Sequence, residues 1–271
     1  MDMKKIKVGA FQFSTNNCIA DNLSAIKRGI SLAANENVRL LLTQECALCG
    51  YPPIELPAIE SIDKNALVNA IEEIKMLSRK YNMYIALGTI TFDKDNVYNS
   101  VQLITPENEN TDIYHKRALW GWDIDNFKRG NNEGIYNIDG IKIGIRICYE
   151  VRFPEYFREL FRSNVDLCLI SFTDVGSPEL KEKINVIQSH LISRATENAM
   201  YVLSSNSLSN YQLAPTCLID PDGYIIKKAP LNYESLICHK IEFGLPEFGR
   251  RGRIVHSKEL QKKTLLNKSL S

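Results

Sequence analysis

Apolar and polar residues change their period several times along the chain. Residues 6–13 (IKVGAFQF) alternate, the two-residue period of a half-buried strand. Ile19, Leu23, Ile26, Ile30 and Ala33 then recur every three or four positions, the stripe of an amphipathic helix. Residues 38–43 (VRLLLT) form a short apolar run that predicts a buried strand. Asp63 is placed to cap a second helix with the stripe Leu67, Ile71, Ile74 and Leu77. Residues 83–92 and 97–104 predict two neighbouring strands, joined by the turn residues DKDN at 93–96.

The second half repeats the alternation of strand and helix. Residues 142–147 predict a strand that runs into Cys148, and residues 153–162 a helix with Pro154 in its first turn. A strand at 167–171, a long helix at 179–198 and a strand at 201–205 follow. Residues 213–219 and 224–227 predict strands flanking the turn DPDG at 220–223, and residues 236–241 a last strand. The segment after Ile254 is polar and Lys-rich and predicts an arm or a disordered tail. No linker or short-period repeat divides the chain, so the pattern predicts one α/β domain over residues 1–255, with a tail at 256–271.

Composition narrows the function classes. Hydrophobic residues make up 44%, enough for a sizeable core without disulfides. A net charge of +1 gives no reason to expect a nucleic acid or an acidic membrane as partner. The basic cluster Arg250, Arg251 and Arg253 reads as a solvated surface. Seven scattered cysteines fit buried thiols in a reducing compartment. With no apolar leader and no run near the ~20 residues of a membrane span, a cytoplasmic protein is expected. Cys46 and Cys49 lack the second pair or the histidines that a zinc site needs, so no metal is expected. No Gly-x-Gly-x-x-Gly or Walker-type loop is present.

Three polar residues stand at or near the ends of strand-like runs: Glu45, Lys116 and Cys148. Each alone has an ordinary reading, as a surface acid, an exposed lysine and an inert core thiol. Together they cover the parts of amide hydrolysis. A thiol attacks carbon, a carboxylate moves the proton, and an ammonium steadies the oxyanion. His115, beside Lys116, would point to the opposite face of its strand and is not the preferred partner of Cys148.

The surrounding segments 43–53 (TQECALCGYPP), 114–130 (YHKRALWGWDIDNFKRG) and 143–155 (IGIRICYEVRFPE) resemble the Glu, Lys and Cys motifs of the nitrilase superfamily, the carbon–nitrogen hydrolases. Residues 8–13, Tyr98–Asn99 and 193–202 extend the resemblance over about residues 5–245. It implies a four-layer α–β–β–α sandwich, a catalytic triad of Glu45, Lys116 and Cys148, no cofactor, and a homodimer or higher homo-oligomer. Many members carry a second glutamate before a Phe-x-x-Gly-like pattern. Here the aligned residue is Asp123, with Asp125 as the alternative, shorter than Glu by about 1–1.5 Å of reach.

The run Cys148-Tyr149-Glu150 followed by Arg152-Phe153-Pro154 is closer to the amidase-like branches than to true nitrilases. The resemblance therefore implies a small linear amide as substrate and an acyl-enzyme on Cys148, with the backbone N–H of Tyr149 in the oxyanion hole. Acyl transfer from the same intermediate, a nitrile substrate, and a non-catalytic binding protein are the alternatives. Tyr51, Phe172 and Thr173 are candidate pocket residues, and Asp174 makes the same loop acidic. Arg152 is placed either to pair with a substrate carboxylate or to tie its own loop to Glu150 or Glu155.

Overall fold

The computed structural model describes residues 4–107 and 112–268, with side chains as far as Lys262. Along β1 (Lys4–Gln12), Val8 and Ala10 face one layer and Phe11 the other, as the two-residue period requires. Next come α1 (Ile19–Asn35), β2 (Leu40–Leu42), α2 (Lys64–Tyr81), the hairpin β3 (Tyr84–Asp93) and β4 (Asn96–Ile104), and β5 (Asp112–His115). The one-turn helix α3 (Asp123–Asn126) precedes β6 (Ile135–Ile138), β7 (Ile141–Ile147), α4 (Pro154–Arg162), β8 (Leu167–Phe172) and the short β9 (Val175–Gly176). The order ends with α5 (Lys183–Asn198), β10 (Tyr201–Asn206), β11 (Tyr211–Gln212), β12 (Cys217–Ile219), β13 (Ile225–Lys228), β14 (Ser235–Phe243) and α6 (Phe248–Lys268).

Two six-stranded sheets result, ordered β14-β1-β2-β3-β4-β5 and β13-β12-β10-β8-β7-β6. Their inner faces meet in one apolar layer. Val8, Leu40, Leu42, Val101 and Leu103 come from the first sheet, and Ile143, Ile145, Ile147, Leu167 and Leu169 from the second. The alternate residues face outward. Phe11, Leu41, Ile85 and Leu87 pack under α1 and α2, while Cys168, Ile170 and Val202 pack under α4 and α5. The layers are therefore helix, sheet, sheet, helix, the α–β–β–α sandwich that the resemblance implies. Asp63 caps α2 as expected, accepting the N–H groups of Asn65 and Ala66 at 2.9 and 3.0 Å. Among the described residues no helix is long and apolar enough to cross a membrane.

Three local expectations are corrected. Residues 213–219 are not one strand: only Cys217–Ile219 pairs, because Pro215 removes a ladder donor and Leu213 bonds instead to the carbonyl of Asp174. The long helix begins at Lys183 rather than 179. Pro178, its φ fixed, opens a separate 3-10 turn at Pro178–Leu180. The segment after Ile254 continues α6 instead of fraying, since residues 255–268 are mostly good helix formers without proline or glycine. The helix runs unbroken through residues 255 and 256, so no change of structure marks the expected tail; residues 269–271 lie outside the described residues. Arg250 and Arg253 both bond to Asp222, and only Arg251 of that cluster lies open to solvent.

Candidate active site

Glu45, Lys116 and Cys148 come from different sheets and meet at one end of the sandwich. Glu45 lies in the turn after β2, Lys116 directly after β5, and Cys148 directly after β7. Glycine lets two of these turns lie close to their neighbours. A Cβ on Gly88 would sit 1.9 Å from the carbonyl oxygen of Gln44, and one on Gly130 2.1 Å from that of His115. The Gly130 N–H donates to the carbonyl of Lys116 at 2.9 Å.

The three side chains are not equally buried. Glu45 and Lys116 are 1% and 2% exposed, whereas Cys148 is partly open to a cavity. The Lys116 ammonium donates to Glu45 Oε1 at 2.7 Å and to Asp123 Oδ2 at 2.8 Å. Asp123 is fully buried, and its other oxygen accepts the Tyr51 hydroxyl at 2.7 Å. Asp125 is exposed on α3 and takes no part, so of the two acids only Asp123 reaches Lys116. The second Glu45 oxygen accepts the N–H of Thr173 at 2.8 Å, and the Thr173 hydroxyl donates to the Glu45 carbonyl. Asn99 donates to Glu45 Oε1 at 2.7 Å.

Charge distribution follows from this packing. Burial opposes the charge on Lys116, but Glu45, Cys148 and Asp123 outweigh it and hold its pKa well above the ordinary lysine value. Burial and then the Glu45 charge push the Cys148 thiol well above its ordinary value, while Lys116 pulls the other way. At rest the thiol is therefore protonated beside a carboxylate able to take its proton. Burial also raises the Tyr51 phenol, which stays a donor to Asp123. Cys148 itself has φ +45°, a left-handed conformation that non-glycine residues rarely adopt. Such backbone strain costs about 1–3 kcal/mol and persists where the surroundings over-determine it.

The cavity beside Cys148 has a volume of about 420 Å³. Tyr51, Arg152, Phe172 and Thr173, the residues expected around the pocket, lie on its wall, and Tyr149 lines it too. Thr173 also holds Glu45. Arg152 forms no hydrogen bond or ion pair among the described residues; Glu150, one of its expected partners, is occupied elsewhere. Ile54, Trp120, Asp174 and Lys183 complete much of the rim, and Lys183 bonds to Asp174 at 2.6 Å. Ile54 and Lys183 lie outside the matched motifs, and Trp120, inside the segment 114–130, is not singled out there. Asn99 sits in the Tyr98–Asn99 match, but its bond to Glu45 depends on a strand pairing invisible there. His115 points away from the site, as expected, onto Ser100 at 2.8 Å and the Tyr98 ring at 4.0 Å. Among the described residues, no group of three or more His, Cys, Asp or Glu side chains could hold a metal ion.

A sequence profile of the carbon–nitrogen hydrolase family matches residues 7–247. The deaminated glutathione amidase of Synechocystis is 26% identical over 251 residues, 84% of this chain and 88% of that protein. The 2-oxoglutaramate amidase of Bacillus subtilis is 25% identical over 199 residues, 71% of this chain and 74% of that protein. Among solved structures, a mutant of the Nesterenkonia AN1 amidase from the nitrilase superfamily superposes with a TM-score of 0.76. It is 18% identical, and the match covers 87% of this chain and 90% of that one.

Proposed function

Because this chain belongs to the carbon–nitrogen hydrolase family, within the nitrilase superfamily, we propose that it hydrolyses a small linear amide through an acyl-enzyme on Cys148. The observation that carries this reading is the cavity-facing thiol beside Glu45, with Lys116 held between Glu45 and Asp123. Glu45 accepts the thiol proton as sulfur attacks the amide carbon. The developing oxyanion is met by the Lys116 ammonium and by the N–H of Tyr149. That N–H lies in the first turn of the 3-10 helix Cys148–Arg152, where backbone donors lack intrahelical acceptors. Glu45 then protonates the leaving nitrogen, ammonia departs, and a thioester remains. Water, deprotonated by Glu45, attacks the thioester, releases the acid and restores the thiol. This chemistry requires no metal or organic cofactor.

Arg152 supports a finer reading. An unpaired guanidinium on a cavity wall suits a substrate with a carboxylate at the end away from the amide. The names of the two curated relatives agree with it, since deaminated glutathione and 2-oxoglutaramate both carry carboxylates. The test is ammonia release by the full chain over paired primary amides, each with a free terminal carboxylate or its neutral counterpart. Turnover should favour the carboxylate member of each pair and vanish in Cys148→Ala. Ammonia release by the Cys148→Ala enzyme at the wild-type rate would sink the reading.

A further inference from the structure

One fully buried carboxylate near the site is absent from this mechanism. Glu150 lies two residues after Cys148. Its Oε1 accepts the backbone N–H of Arg117 at 2.6 Å, the Tyr114 hydroxyl at 2.8 Å and the N–H of Ala118 at 3.3 Å. Its Oε2 accepts the N–H of Ile147 at 2.7 Å. Tyr114 and Arg117 stand on either side of Lys116, and Ile147 immediately precedes Cys148. One side chain thus joins the end of β5 in the first sheet to the end of β7 in the second. The Ile147 bond is half of a capping box, in which an acid at the third helical position reaches back to the N-cap N–H.

The placement of these bonds limits what Glu150 can do. It faces neither the cavity nor the Cys148–Glu45 contact, so it is no proton carrier. Three of its four donors are backbone N–H groups, which makes its bonds act on where the chain runs. One of them holds the peptide entering the left-handed Cys148 turn. Two hold the residues that follow Lys116.

We infer that Glu150 is a positioning residue that fixes Cys148 relative to Lys116, so that attacking sulfur and oxyanion donor act on the same carbonyl. The inference rests on the amide-hydrolase reading above and adds a residue to it. Asp123 fixes Lys116 from the first-sheet side, and Glu150 fixes the lysine segment to the nucleophile.

The test compares Glu150→Gln, Glu150→Asp and Tyr114→Phe in the full chain. It measures kcat, KM, and alkylation of Cys148 by iodoacetamide against the exposed Cys18 as internal standard. Gln keeps the length but turns an NH2 toward donors, so one set of bonds is lost. A displacement of the reacting groups by roughly 1 Å costs about 100-fold, so kcat should fall by about that factor. KM should stay within about threefold, because cavity-wall residues are untouched. Alkylation of Cys148 should slow by about tenfold while that of Cys18 is unchanged. Asp keeps both acceptor oxygens and should recover about tenfold in kcat over Gln.

A folded Glu150→Gln enzyme with kcat within about threefold of wild type overturns the inference. So does a kcat loss matched by an equal loss of titratable Cys148, which would mark a role in folding alone. If Glu150→Gln does not fold, Tyr114→Phe decides. A fall in kcat of about three- to tenfold at unchanged KM supports the inference, and an unchanged kcat overturns it. A wild-type chain that releases no ammonia from any amide tells instead against the amide reading. The alkylation ratio then still tests the placement of Cys148.

Discussion

Two of the ion clusters among the described residues have mirrored composition and different burial. At one end of the sandwich Lys116 sits between Glu45 and Asp123, and all three are at most 2% exposed. Beside α6, Asp222 sits between Arg250 and Arg253, whose side chains are 25%, 19% and 36% exposed. The first cluster has lost its water and depends on its partners to hold its charges. The second is only partly buried and holds a helix in place. What separates a reactive centre from a tether is therefore burial, since a charge out of water is worth far more to its neighbours.

Removing the central charge from the buried cluster should have the largest effect. Lys116→Met leaves two carboxylates facing each other without water or a cation. We expect kcat to fall at least about 10³-fold and unfolding free energy by about 3–5 kcal/mol, read by ammonia release and urea titration. Wild-type stability would mean that the cluster is better solvated than its exposure indicates.

The next test moves the cluster without altering a charge. In Gly88→Ala the new methyl meets the Gln44 carbonyl oxygen and the Glu45 backbone, which must shift. Turnover should drop about 100-fold, with a stability loss of about 1–3 kcal/mol. Equal turnover in the two proteins would show that the Glu45 turn tolerates displacement.

The third test uses pH. The Cys148 pKa is raised above the ordinary 9.0, so the thiolate fraction is small at neutrality and grows through and beyond that value. Mass-spectrometric labelling by iodoacetamide should accelerate steadily from pH 7 to 9 without a plateau. A plateau below pH 8 would identify a thiolate already formed at rest.

The smallest effect belongs to the partly exposed cluster. Asp222→Asn should cost at most about 1 kcal/mol, leave turnover within about twofold, and speed hydrogen exchange only in α6. The Asp222 pKa is lowered, chiefly by its hydrogen bond to Arg250; burial opposes this, and Arg253 adds to the lowering. A depressed carboxyl pKa contributes stability above the unfolded value of 3.8 and loses it as pH falls through the folded value. The tether should therefore hold at neutral pH and loosen only in acid below 3.8. A tenfold loss of turnover in Asp222→Asn would make the cluster part of the active end after all.

These contrasts also separate what the chain's pattern reveals from what it hides. Strand faces were legible because alternation is local. Ile143, Ile145 and Ile147 point inward and Gly144 and Arg146 outward with no need to know the partner sheet. The three principal site residues were legible because each ends or closely follows such a run inside an extended motif. The motif alignment pointed to Asp123 but kept Asp125 open, since the choice depends on which carboxylate the turn after Trp120 brings back to Lys116. Glu150 was hidden for a similar reason. Its donors lie 3 to 36 positions away, and only the packing of two sheets assembles them. The sequence left the segment after Ile254 open between an arm and a disordered tail, because its polar composition suits solvent equally well as coil or as helix, and the anchor on Asp222 lies 28 residues from Arg250.

Cys148 stands on one sheet, and Glu45 and Lys116 on the other. The contacts that unite them cross the sandwich: Glu45 N to the Phe172 carbonyl at 3.3 Å, Thr173 N to Glu45 at 2.8 Å, and Ser171 Oγ to the Thr43 carbonyl at 2.9 Å. Neither sheet alone holds a complete site. Turnover is therefore a gauge of sheet docking: a partly unfolded species with both sheets intact but parted would keep its circular dichroism and lose all catalysis. An activity assay along a denaturation curve would detect that separation before any spectroscopic signal of secondary structure moved.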